Sequence, residues 1–487
     1  MKYIGTRDKS FEVTASQAII KGICPDGGLF VPEEMPVLGK SIEELKGLSY
    51  KELAFEILKA FLDDFTDEEI SYAVNGAYDE KFDTPEIAPL VKKDGVYFLE
   101  LFHGKTIAFK DMALSILPYL MKISAKKNGL TDKEIVILTA TSGDTGKAAL
   151  EGFADVEGTS IIVFFPESGV SRIQKLQMVT QEGKNTCVAG ILGNFDDAQT
   201  AVKNIFTDEA LCNELEKKGF VFSSANSINI GRLVPQVVYY VHSYVKLLER
   251  NEIKPGEKIN FVVPTGNFGN ILAGYYAKLI GLPVNKLICA SNDNKVLYDF
   301  FKTGVYNKNR EFMVTISPSM DILVSSNLER LICAKVGQTE TAKLMGELSS
   351  NGEYEVKAEF TDFVPEFATE DETRKGIKEL FEKAGYVMDT HTAVAYEGYK
   401  KYLAETGDET KTVIVSTASP YKFTKDVLKA IDNKYADIDD FEAMKVLESI
   451  SGVKIPAPIK DIDKKEIRHK NVCPKDGLKD FVKNHLA

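Results

Sequence analysis

At 487 residues the chain exceeds one ordinary domain, and with 44% hydrophobic and 27% charged residues it has the composition of a globular protein with a sizeable core. A net charge of −12 without a long Lys/Arg run argues against nucleic acid or an anionic membrane as partner, because both need a basic surface. The opening residues, Met1 to Asp8, hold no apolar signal core, and no stretch approaches the length of a membrane span. Six scattered cysteines (Cys24, Cys187, Cys212, Cys289, Cys333, Cys473) form no CxxC pair, so no metal site or disulfide framework is expected and a reducing cytoplasm is the expected location.

Residues 1 to about 90 mix short helical patterns with turn signals. Cys24-Pro25-Asp26-Gly27-Gly28 reads as a turn, and Leu53, Ile57, Leu58 and Phe61 fall at helical spacing within 49–65. Next comes His103-Gly104-Lys105-Thr106-Ile107-Ala108-Phe109-Lys110-Asp111. Lys110 stands between Phe109 and an apolar helical pattern over 112–121, which turns it inward. A desolvated lysine loses proton affinity and becomes a nucleophile for an aldehyde. An ion pair with Asp111 is the alternative. Apolar runs at 135–138, 159–165, 186–189, 219–223, 259–264, 287–290 and 412–416 alternate with helical patterns, among them 171–182 and 195–207. The alternation predicts βαβ units, and its two clusters predict two parallel-sheet α/β domains with a cleft between them.

Ligands in such folds bind beyond the C-terminal ends of strands, and four further motifs fall there. Thr139-Ala140-Thr141-Ser142-Gly143-Asp144-Thr145-Gly146 offers hydroxyls and amides to a carboxylate or phosphate, or forms a helix cap through Ser142 or Asp144. Ser224 to Leu233 carries Arg232 at the opening of a helix with Val234, Val237, Val238 and Val241 on its apolar face. Arg232 suits a phosphate or carboxylate, or simply faces solvent. Pro264-Thr265-Gly266-Asn267-Phe268-Gly269-Asn270 joins a strand to a helix over 271–280; its glycines and the helix N-terminus make a phosphate cradle, though a ligand-free turn has the same signature. In Ser416-Thr417-Ala418-Ser419-Pro420 a hydroxyl could bond a neutral pyridine nitrogen, or cap the helix that Pro420 opens. His391, in Asp389-Thr390-His391-Thr392-Ala393, reads as structural.

Together these motifs resemble the threonine synthase family, one of the fold-type II pyridoxal-phosphate enzymes, which also include the tryptophan synthase β subunit. Gly27-Gly28-Leu29-Phe30-Val31-Pro32, Asn194-Phe195-Asp196-Asp197, Asn226-Ser227-Ile228-Asn229, Ser317-Pro318-Ser319-Met320-Asp321-Ile322 and Ser326-Asn327-Leu328-Glu329-Arg330 extend the likeness across nearly the whole chain. The resemblance implies a tryptophan synthase β-like architecture: an N-terminal domain over 1–92, a large cofactor domain over 93–125 and 236–435, a small α/β domain over 126–235, and a helical or extended C-terminal segment over 436–487. It implies pyridoxal 5′-phosphate as cofactor, attached to Lys110, with Gly266, Asn267, Phe268, Gly269 and Asn270 on its phosphate and Thr417 on its ring nitrogen. Thr141, Ser142, Gly143, Asp144 and Thr145 would hold the substrate carboxylate and flank the ring. Arg232, with Lys175 or Asn226, would bind the substrate phosphate. The implied reaction converts O-phospho-L-homoserine and water into L-threonine and phosphate, by γ-elimination and addition of water at Cβ, with Lys110 moving protons.

Two positions depart from the family pattern: Lys105 stands where Pro is usual, and Ser419 where His is common. The long N-terminal regulatory extension of the plant enzymes has no counterpart, so activation by S-adenosylmethionine is not expected. A phospho-lyase releasing a 2-oxo acid, a serine/threonine dehydratase, and a catalytically silent binding protein on the same fold are the competing readings. A monomer and a homodimer are both compatible with the sequence.

Overall fold

The computed structural model describes every residue except Ser142, Ser168, Gly169, Asn194 and Ala487, and every side chain of those except Phe195, Asp196 and Thr207. Two sheets organise the chain. The larger runs in the order Phe363–Phe367, Val284–Ser291, Ile259–Pro264, Thr412–Ser416, Val96–Glu100, Leu90–Lys93, parallel except for its last pair. The smaller runs Asn471–Pro474, Thr186–Leu192, Thr159–Pro166, Glu134–Ala140, Phe220–Ser223 and is parallel throughout.

Strand Ile259–Pro264 shows why such segments read as continuous apolar runs, for all six of its residues are buried. Alternate residues serve opposite faces: Phe261 and Val263 join the core shared with the N-terminal region, and Val262 joins a second core with Ile288 and Ile414. Helices Glu370–Ala384, Thr390–Thr406, Thr424–Ile431 and Asp440–Ser451 supply apolar side chains to that second core. A third core lies on one face of the smaller sheet, closed by Leu478 and Val482 of the last helix, Leu478–His485.

The N-terminal region is a small antiparallel sheet (Glu12–Val13, Tyr3–Gly5, Phe30–Pro32) with helices Tyr50–Phe61 and Asp67–Ala77. Each helix starts at a reciprocal cap, Ser49 with Glu52 and Thr66 with Glu69. Its apolar face continues the core around Ile259, Phe261 and Val263. Among the described residues no helix is long and apolar enough to cross a membrane, and no cluster of three or more His, Cys, Asp or Glu is placed to hold a metal ion.

Several boundaries differ from those the periodicity predicts. The single helix expected over 112–121 is two, Asp111–Leu114 and Leu117–Lys127, because Pro118 cannot donate into a continuous helix and instead sits in the first turn of the second. Arg232 does not open a helix. It is the third residue of a one-turn helix, Ile230–Leu233, and Pro235 shapes a short 3-10 turn before helix Val237–Glu249 begins. Strand Asn471–Pro474 of the C-terminal segment forms an edge of the smaller sheet, beside Thr186–Leu192.

Candidate active site

Lys110 follows strand Val96–Glu100 in a segment held against the end of strand Thr412–Ser416. Phe109 N–H donates to the Thr417 carbonyl (2.8 Å), Ser419 N–H donates to the Ile107 carbonyl (3.0 Å), and Ala108 bridges to Ala418. These bonds hold Ile107 at φ +54°, a conformation costly for a β-branched residue. The expected alternative partner, Asp111, faces elsewhere: its carboxylate accepts from Thr106 N–H (2.8 Å) and Thr106 Oγ1 (2.6 Å). Burial pushes the Asp111 carboxyl up to about 6 against those two bonds. Gly104 lets this side chain in, since a Cβ there would lie 2.5 Å from Asp111 Oδ2.

Lys110 is 9% exposed, and its ammonium lies 3.6 Å from Asp144 Oδ2, 3.5 Å from Ser319 Oγ and 5.1 Å from the Phe109 ring centre. Burial pulls its proton affinity below the ordinary lysine value; Arg232 and Lys422 push the same way and Asp144 opposes them. Asp144 is gripped on both oxygens. Lys422 Nζ (3.1 Å) and Gln174 Nε2 (3.0 Å) meet Oδ1, and Ser319 Oγ donates to Oδ2 (3.1 Å). Burial alone would raise its pKa, but the charges of Lys422 and Lys110 overcome that and hold the carboxyl far below the usual range.

The loop Thr265–Asn270 leaves strand Ile259–Pro264 and opens helix Gly269–Leu279. Phe268 adopts a left-handed φ of +64°, with its ring packed on Phe301 and Phe363. Gly266 lies flush against the loop that carries Ser319, where a Cβ would come within 2.7 Å of the Ser319 carbonyl oxygen. Asn270 is buried; its Oδ1 accepts from Tyr239 and Tyr240 (2.7 Å each), and among the described residues its Nδ2 has no partner. A buried orphan donor beside helix-opening amides is a feature that an anion would satisfy.

In the smaller sheet, Thr141 Oγ1 accepts from Gly143 N–H (3.0 Å) and Gly146 N–H (2.9 Å) at the start of helix Asp144–Phe153. Asp144 therefore does not cap this helix through its side chain. Gly143 takes φ +139°, and a Cβ there would meet Gln174 at 2.6 Å. Thr145 is partly buried at the same turn, and Ser142 lies outside the described residues.

Arg232 is 5% exposed, and its guanidinium donates to the Ala225 carbonyl (2.9 Å). Among the described residues it enters no ion pair, and burial pulls its pKa down to about 10. Asn226 borders the same loop, its N–H donating to Ser224 Oγ (3.2 Å). Lys175 is 38% exposed and paired with Glu167. Lys105 reaches Glu151 at 3.4 Å, and Ser419 caps the 3-10 turn Pro420–Phe423 by accepting from Tyr421 N–H (3.3 Å).

Three contributors escaped the sequence reading of the site. Ser319 carried no role there. His391, read as structural, positions it: Nε2 accepts Ser319 N–H (3.1 Å), so Nδ1 carries the proton toward Asp389 Oδ1 (2.9 Å). Arg330, almost fully buried, donates to the carbonyls of Phe30 (2.9 Å) and Ile228 (2.5 Å) and to Asn327 Oδ1; Asn327 in turn donates to the Asn267 carbonyl (2.9 Å). Lys422 was the third, although its signal matches that of Lys110: a lysine beside aromatic residues just past a strand end.

A desolvated lysine, an anion cradle with an orphan donor and a two-sheet α/β frame define a pyridoxal-phosphate-dependent enzyme. The family described as pyridoxal-phosphate dependent enzyme matches residues 82–418, the threonine synthase N terminus matches 2–78, and the threonine synthase C-terminal family matches 392–482. Threonine synthase of Schizosaccharomyces pombe is 38% identical over 474 residues, covering 90% of each chain. Threonine synthase-like 1 of Macaca fascicularis is 39% identical over 457 residues; these are 89% of this chain but 60% of that longer relative. A crystal structure of pyridoxal-phosphate-bound threonine synthase from Brucella melitensis superimposes with a TM-score of 0.86 at 34% identity, covering 100% of this chain and 99% of the other. The chain belongs to the threonine synthase family, and its cofactor is pyridoxal phosphate.

Proposed function

We propose that this chain converts O-phospho-L-homoserine and water into L-threonine and phosphate, acting as a carbon–oxygen lyase on a phosphate ester. The observation that carries the reading is Arg232: a buried cation, in no ion pair among the described residues, close enough to Lys110 for its charge to be felt there. A buried unpaired guanidinium is costly unless an anion meets it, and a substrate phosphate supplies that anion.

The cofactor, when bound, serves as an electron sink for charge developing beside the amino group of the substrate. Lys110 is assigned to cofactor attachment and then to moving the proton at Cα, with Ser319 and Asp144 at its ammonium. The amides of Gly266, Asn267, Phe268 and Gly269, with Asn270 Nδ2, are assigned to the cofactor phosphate, and the Thr417 hydroxyl to the pyridine nitrogen. The substrate carboxylate is assigned to Thr141, Ser142, Gly143 and Thr145 and to the backbone of Asp144, whose side chain is committed to lysines. Arg232 and Asn226 are assigned to the substrate phosphate. Loss of that phosphate from Cγ and addition of water at Cβ give threonine. All six cysteines are unpaired, and five are buried, which supports a reducing compartment such as the cytoplasm.

The test is product analysis with pyridoxal phosphate and O-phospho-L-homoserine, beside Lys110→Ala. Equal amounts of phosphate and threonine, absent in the variant, are the expected result. Phosphate with a 2-oxo acid and no threonine would make the protein a phospho-lyase.

A further inference from the structure

We propose that Lys422 is a positioning residue that competes with Lys110 for Asp144 and thereby keeps Lys110 a free amine at neutral pH. The inference rests on Lys110 being the cofactor lysine, not on which substrate is turned over. Lys422 sits in the 3-10 turn Pro420–Phe423, past the strand end that presents Thr417, and its side chain is fully buried. Among the described residues its ammonium has three partners: Asp144 Oδ1 (3.1 Å), the Thr106 carbonyl (3.0 Å) and Gln177 Oε1 (3.3 Å). Only the first is an anion.

Asp144 therefore answers two cations with one charge. Lys422, with Gln174, takes Oδ1 at hydrogen-bonding distance, and Lys110 faces Oδ2 at 3.6 Å, beyond a good hydrogen bond. Were Asp144 paired with Lys110 alone, the carboxylate would hold the Lys110 proton and blunt its attack on an aldehyde. With Lys422 on the other oxygen, most of that stabilisation is already spoken for. The remaining charges point the same way: Arg232 faces Lys110 from helix Ile230–Leu233, and Lys422 itself repels the Lys110 ammonium. Around Lys422 stand Asp111, held by Thr106, and Lys147, paired with Glu151. Both paired acids already have partners of their own, so Asp144 is the anion that Lys422 addresses directly.

The experiment measures the rate at which pyridoxal 5′-phosphate attaches to Lys110 across a pH series. It uses the full chain freed of cofactor, borohydride trapping and quantification of the Lys110 peptide. Lys422→Met is expected to move the pH midpoint upward by about one unit, slowing attachment at pH 7 about tenfold; Lys422→Arg restores most of the shift. Gln177→Glu keeps Lys422 and its packing but gives it a second anion, and is expected to move the midpoint upward as well. A folded Lys422→Met protein with an unmoved midpoint overturns the proposal; if that variant does not fold, an unmoved midpoint in Gln177→Glu does so. No substrate enters the measurement, so a failed threonine assay leaves this result standing and a failed shift leaves the threonine assay untouched.

Discussion

The two strand-to-helix loops that meet at Ser319 differ in how they are made. Thr265–Asn270 is neutral: it offers amides and the orphan Nδ2 of Asn270, and its shape comes from apolar and hydroxyl packing by Phe301, Phe363, Tyr239 and Tyr240. The turn at Thr141–Thr145 is charged: it places Asp144 between two buried lysines. One loop presents donors, while the other contains an anion and uses it on the chain's own amines. A similar backbone device thus serves opposite electrostatic purposes, and the side chain behind each turn decides which.

Three measurements sharpen or break this contrast. Asp144→Asn leaves two buried ammonium groups without their anion, and urea denaturation at pH 7 should show a loss of about 3–5 kcal/mol. Because the folded state depresses the Asp144 pKa, its contribution is complete above the unfolded value of about 4 and is lost as pH falls below it. The gap to wild type should shrink in acid, and a flat gap would mean that the carboxylate is not ionised in the fold. Asn270→Ala removes an acceptor from two tyrosine hydroxyls and should cost about 1–3 kcal/mol, independent of pH between 5 and 9 as an order-of-magnitude window. A pH-dependent loss there would erase the distinction between the loops. Lys175→Gln, at an exposed pair with Glu167, should change stability by less than about 1 kcal/mol and leave KM for the phosphorylated substrate unaltered. A rise in KM of about tenfold would return Lys175 to the substrate phosphate.

What could be read in advance follows how local each signal is. The strand runs, the glycine turns and the inward Lys110 declare themselves within a few residues, through periodicity and flanking aromatics. The partners do not. Lys110 was offered Asp111 because it is adjacent, yet the fold gives Asp111 to Thr106 and Lys110 to Asp144, which arrives from another sheet. Asp144 looked like a helix cap because a carboxylate at a helix start usually is one; Thr141 takes the amides instead. Lys422 went unread for the same reason, since its anion lies far away in the chain. Strand Asn471–Pro474 was also obscure: half its residues and their neighbours are polar, and only Thr186–Leu192 beside it makes it a strand.

Arg330 binds the carbonyl of Phe30, 300 positions earlier, while it also holds Ile228 and, through Asn327, the turn at Asn267. This single guanidinium makes the order of assembly matter. Closing so long a stretch of chain is slow, and until Phe30 docks, a buried cation lacks one of its acceptors. Both large sheets draw on their own strands, whereas the turn at Asn267 is fastened, through Asn327 and Arg330, to a carbonyl from the part of the chain synthesised first. Removing the chain up to and including Phe30 would leave both large sheets their strands but take away an acceptor of the guanidinium that, through Asn327, fastens the turn at Asn267, so strand Phe30–Pro32 acts on that turn from a distance.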